Sequence, residues 1–78
     1  MNPYTSVINA TEYPPHLKHK AIFTTFVNLN AGEAMLLVND HDPVPLKSQL
    51  EGRYPRQFDW EYVEKGPATY QIKITKID

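Results

Sequence analysis

Leu36-Leu37-Val38-Asn39-Asp40-His41-Asp42-Pro43 is the stretch on which the fold turns. Three large apolar residues run straight into four polar ones, three of them ionisable, and a proline closes the run. The apolar part is driven to burial, whereas Asn-Asp-His-Asp is at home against water, a ligand or a partner. The junction reads as a central strand emptying into a loop at the rim of a sheet, and that loop is the leading candidate for a functional site. Just upstream, Glu33 to Asn39 (E-A-M-L-L-V-N) shows no polar alternation. A strand apolar on both faces belongs in the middle of a sheet. Glu, Ala, Met and Leu also favour helix, but the space between Gly32 and the Asx-rich turn is short for one, and strand is the reading taken.

Working outward towards the C-terminus, Pro43-Val44-Pro45 is a stiff connection, and Pro45 suits the first turn of a helix. Leu46 and Leu50 lie four residues apart, with Lys47, Ser48, Gln49 and Glu51 outward and Gly52 as a stop. Arg53-Tyr54-Pro55-Arg56 reads as a loop. Phe58, Trp60 and Tyr62 then alternate with Asp59 and Glu61, the period of a half-buried strand. Its charges suit a place near a sheet edge. Trp60 and Tyr62 are read as core, Glu61 and Glu64 as facing solvent. Lys65-Gly66-Pro67 signals a turn, and Tyr70, Ile72 and Ile74 alternate with Gln71, Lys73 and Thr75 as a last strand that pairs back as a hairpin.

Towards the N-terminus, Ile22, Phe23, Phe26, Val27 and Leu29 recur at three- and four-residue spacings between His16 and Leu29. Ala21 and Leu17 fall on or beside the same face. That pattern predicts an amphipathic helix of three to four turns, ended by Asn30-Ala31-Gly32. Pro14-Pro15 separates it from a first strand over Thr5 to Ala10. The order is β-α-β-α-β-β, with the first two strands parallel and joined by a right-handed crossover. One domain, residues 1–78, follows: an α/β (α+β) two-layer sandwich in which both helices lie on one face of a mixed four-stranded sheet.

Composition narrows the chemistry. Seventy-eight residues lie near the lower limit for an unstapled core. The absence of cysteine excludes disulfides, Cys-ligated metals and thiol catalysis. A hydrophobic content of 41% with one Trp, five Tyr and three Phe can supply the burial instead. The net charge is −1 with no basic stripe, which argues against nucleic acid. No apolar run approaches a membrane span, and Met1-Asn2-Pro3-Tyr4 lacks the cationic-then-apolar order of a secretory signal. A cytoplasmic protein is the expectation.

Several words of the sequence resemble domain-of-unknown-function family 2249. They are Pro14-Pro15 followed by His19, Ile22-Phe23-x-x-Phe26, Gly32-Glu33, Val38-Asn39-Asp40-His41-Asp42-Pro43-x-Pro45-Leu46, Trp60-Glu61-Tyr62 and Gly66-Pro67. The resemblance spans Val7 to Ile77 and implies a TusA/SirA-like two-layer sandwich. It also implies association with hemerythrin-like domains in proteins tied to nitric oxide, oxygen or denitrification, and brings no accepted activity. Many members end the first strand in an Asp-Val-Arg-like sequence, where this chain has Asn9-Ala10-Thr11, and carry Arg-His-Pro where it has Lys18-His19-Lys20. The cysteine of the sulfur carriers is absent, which removes persulfide relay.

Ligands of open α/β sheets gather at the carboxyl ends of parallel strands. By topology, that rim collects Asn39, Asp40, His41 and Asp42 after the second strand, with His19 on the first helix nearby. The third strand adds Tyr62 and Glu64 if it too runs parallel, as the family's fold implies. These residues, His19, Asn39, Asp40, His41, Asp42 and Glu64, are the candidate ligand- or partner-binding set. His41 between two aspartates could be a metal ligand or a general base. The plain alternative is a solvated turn in which Asp42 caps the second helix. His16-x-x-His19 has a helical metal spacing, but His16 is read as preceding the regular helix. His19, His41 and Asp42 are the residues a metal would use. No nucleophile–base pair is evident, so a non-enzymatic binding or regulatory module is favoured over a small metal-binding protein or metal-dependent enzyme. The cofactor is left open. The uncovered sheet face predicts weak self-association or docking onto a partner.

Overall fold

The computed structural model describes residues 3–77. The elements are β1 (Ser6–Asn9), a single 3-10 turn (Ala10–Glu12), α1 (Pro15–Val27), β2 (Ala34–Asn39), α2 (Val44–Arg53), β3 (Phe58–Lys65) and β4 (Tyr70–Lys76). The four strands form one sheet in the order β1-β2-β4-β3. β1 and β2 are parallel, with Ile8 opposite Leu37. β4 runs antiparallel to both β2 and β3, so β3 points the same way as β2. The expected two-layer α/β sandwich with a mixed four-stranded sheet and two helices is the architecture observed.

Alternation explains the layers. Met35, Leu37, Ile72 and Ile74 are fully buried and form one core with Ile22 and Phe26 from α1, Leu29 just beyond it, and Leu46 and Leu50 from α2. Leu36 and Val38, on the intervening positions of β2, are only half-buried, because no helix covers that face. Along β3 the rings of Phe58, Trp60 and Tyr62 stand edge-to-face at 6.5 and 6.3 Å, the geometry that ring quadrupoles favour. Phe26 meets Phe58 edge-on at 6.0 Å and Tyr54 at 5.2 Å. Its side chain is the hinge of the helix-to-sheet contact. β2 and β4 lie side by side at the sheet centre, so amide exchange should be slowest in Met35–Val38 and Tyr70–Ile74. Exchange there as fast as in the loops would contradict this pairing.

Several boundaries depart from the sequence reading, each for a local reason. The first strand stops at Asn9 rather than Ala10, because the Asn9 side chain accepts hydrogen bonds from the Thr11 N–H (3.1 Å) and hydroxyl (2.6 Å) and starts the 3-10 turn. α1 begins at Pro15, so His16 lies inside it; proline tolerates a first turn, where its missing N–H has no helical partner. The helix ends at Val27, two residues before Leu29, and Lys76 Nζ donates to the Val27 carbonyl at 3.0 Å. Gly32, at φ 87°, belongs to the turn into β2 instead, where its N–H donates to the Lys76 carbonyl. Leu17 and Val27 are exposed, since each is five residues, about 140° of helix rotation, from Ile22. Gly52 does not stop α2. The helix continues to Arg53, and the Tyr54 N–H still reaches the Leu50 carbonyl at 2.7 Å.

Candidate functional site

Both parallel strands, β1 and β2, deliver their carboxyl ends to one rim, and a pocket of about 200 Å³ opens there. Ala10, Ile22 and Leu46 supply its apolar floor, and Pro15, Pro43 and Pro45 stiffen its walls. Its polar lining comes from Lys18 and His19 on α1, Asn39 at the end of β2 and His41 in the following loop. No carboxylate lines it.

The loop is held in two places. The buried Asn39 side chain accepts from the Asp40 N–H at 3.0 Å, turning the chain sharply as it leaves the sheet. Further on, the Tyr62 hydroxyl donates to Asp42 Oδ1 at 2.7 Å, tying the loop to β3 across twenty residues of sequence. That bond raises the Tyr62 pKa above the ordinary phenol value, and burial adds to the shift. The Trp60 side chain beside it acts in the opposite direction and is outweighed. A raised folded-state pKa means this stabilisation is fully present below the ordinary phenol value and lost as pH rises through the raised one.

His41 is positioned by its neighbour. Its Nδ1 lies 2.7 Å from Asp40 Oδ1, with both side chains about two-thirds exposed at 64% and 65%. With Nδ1 paired to the carboxylate, Nε2 is left to act as an acceptor in the neutral ring or a donor in the charged one. The hydrogen bond from His41, opposed by desolvation and helped by the charge of the imidazole, holds the Asp40 carboxyl below its usual range. The contribution of a lowered carboxylate pKa is present above the ordinary aspartate value and disappears as pH falls through the depressed one. Carbon-detected NMR should therefore find Asp40 titrating below an ordinary aspartate, and His41→Ala should move it back up. An unchanged midpoint in that variant would contradict the pairing.

Of the candidate residues, the structure brings His19, Asn39 and His41 to one pocket. Asp40 stands behind His41, and Asp42 is engaged by Tyr62. Asp42 does not cap α2: the residue at the cap is Pro43, with no side-chain hydrogen bond. Glu64 is exposed and level with Val38, but on β3, with β4 in between, and it does not line the pocket. Among the described residues no three His, Cys, Asp or Glu side chains gather where they could share a metal ion. Tyr62 reaches the rim as its place on a strand parallel to β2 predicts, although its ring packs against the core. Lys18 is the contributor the sequence does not single out, because the helical pattern puts it on the polar face of α1.

Fold and site together define a small two-layer α/β domain with a polar pocket at the carboxyl rim of its parallel strands. The chain belongs to a family of uncharacterised conserved proteins, DUF2249, whose profile matches residues 7–76. Neither the curated proteins nor the solved structures gave a match. No helix among the described residues is long and apolar enough to cross a membrane.

Proposed function

We propose that the protein is a non-enzymatic, cytoplasmic binding module that takes a small ligand rich in acceptor oxygens in the rim pocket. The observation that carries this reading is the convergence of Lys18, His19, Asn39 and His41, from three separate segments, on one pocket without a carboxylate. Lys18 supplies fixed positive charge, Asn39 an amide, and the two imidazoles donors whose strength rises on protonation. The chain has no paired nucleophile and base here, so binding rather than turnover is the economical assignment. The resemblance to proteins that accompany hemerythrin-like domains suggests where such a module acts, with a redox or hemerythrin-like protein as its partner. The sheet face bearing Val7, Leu36 and Val38, half-buried or exposed, is then the surface offered to that partner, or weakly to a second copy of the chain.

The test is a titration with inorganic phosphate as probe, followed in amide NMR spectra. Saturable shifts at Lys18, His19, Asn39 and His41 are expected. His41→Ala should weaken binding at least tenfold while leaving stability within about 1 kcal/mol, as for other exposed positions. Unchanged binding in that variant, or shifts spread evenly over the surface, would overturn the site. Sedimentation at high concentration tests the homodimer separately, and a strict monomer would remove it.

A further inference from the structure

The rim pocket is not the largest concavity. On the outer surface of the helical layer, α1 and α2 leave a groove of about 590 Å³, within the range of small-molecule sites. We propose that this groove is a second, separate binding site, for a small organic anion that carries a flat ring beside a carboxylate or phosphate.

Three observations converge on that ligand. The first is charge: Lys20 and Arg53 both line the groove and no Asp or Glu does, in a chain whose net charge is −1. Among the described residues neither cation has an ion-pair partner, the one salt bridge being His41 with Asp40. A groove with two cations outside any ion pair and no acid favours an anion over a cation or a neutral molecule. The second is the pairing of a cation with aromatic rings. The Arg53 guanidinium lies 5.1 Å from the centroid of the Phe23 ring, close enough for a cation–π contact, and the His19 ring stands 6.3 Å from Phe23 on the same helix. Phe23 and Arg53 thus form an aromatic–cation pair to which a flat ring can add while its charged group reaches Lys20. The third is the apolar lining that a ring requires. Phe23 and Tyr54 are half-buried, and Val27 is 49% exposed here although it is a large apolar side chain. Asn28 and Gln49 add amides that can meet further acceptors on the ligand.

The site is distinct from the rim pocket, although His19 lines both. For that reason His19 is not the discriminating variant. The test uses four probes in amide NMR titrations: benzoate and phenyl phosphate, which carry ring and charge, acetate, which lacks the ring, and benzyl alcohol, which lacks the charge. Benzoate or phenyl phosphate should give saturable shifts at Phe23, Asn28, Arg53 and Tyr54, at least tenfold tighter than acetate or benzyl alcohol. The stronger of the two tells carboxylate from phosphate. Arg53→Gln should weaken that binding at least tenfold, and His41→Ala should leave it unchanged. Arg53 is exposed at the end of α2, and should the variant lose its dispersed spectrum, Lys20→Gln, on the exposed face of α1, takes its place. Equal binding of benzyl alcohol and benzoate, no saturable binding of any probe, or full binding by the folded Arg53 or Lys20 variant would overturn the proposal. Failure of the phosphate titration at the rim would not touch it.

Discussion

Replacing Phe26 with alanine is expected to cost about 3–5 kcal/mol, the range for losing a fully buried aromatic side chain and leaving a cavity. The ring has no exposed surface and is met by Tyr54, Phe58 and the ammonium of Lys76, which lies 5.5 Å from its centroid. These partners come from the end of α2, from β3 and from β4, so no single neighbour can relax into the void. A domain of this size has a total stability of about 4–12 kcal/mol, so much of it is at stake. Urea denaturation gives the answer directly. A loss below about 1 kcal/mol would mean that the helical layer does not depend on this contact.

The second large effect is at the hairpin between β3 and β4. Gly66 has φ 73°, and a Cβ there would fall 2.7 Å from the Tyr70 ring. Gly66→Ala must therefore strain the backbone and displace an aromatic side chain, at a combined cost of about 1–3 kcal/mol. Gly52 provides the opposite sign within the same molecule. It lies inside α2 with nothing within 4 Å of an added Cβ, so Gly52→Ala should stabilise by about 0.5–1 kcal/mol. Denaturant midpoints of the two variants, side by side, should move in opposite directions. If they move together, the account of both glycines is wrong.

Gly52 also shows where sequence reasoning stopped short. A glycine after Leu50 looks like a helix end, and only the continuing hydrogen bond from Tyr54 to Leu50 reveals otherwise. The sheet was easier to read, because the Met35-Leu36-Leu37-Val38 run, although its residue types also favour helix, lies in a space between Gly32 and the Asx-rich turn too short for one. So was the convergence of His19 with His41, which followed from parallel strands sharing a rim. The cap reading of Asp42 fails for the same reason as the Gly52 stop. Local pattern makes an aspartate before proline a cap, while its actual partner, Tyr62, is contributed by a strand that only the folded sheet brings near. The interhelical groove had no local signature at all: Phe23 and Arg53 lie on different helices, and their contact is a product of packing.

The two ends of the sheet carry a consequence for how the protein can be approached. β1, at one end, offers only four residues to an incoming strand. β3, at the other, is longer, but it bears Asp59, Glu61 and Glu64 and is kinked by an irregularity between Tyr62 and Glu64. Short length, repeated like charge and a bulge are the means by which folded chains discourage another backbone from zipping onto them. Recognition by strand addition, and the fibre-like stacking that shares its geometry, are therefore both disfavoured in this molecule, and a visitor must come to side chains rather than to open peptide groups.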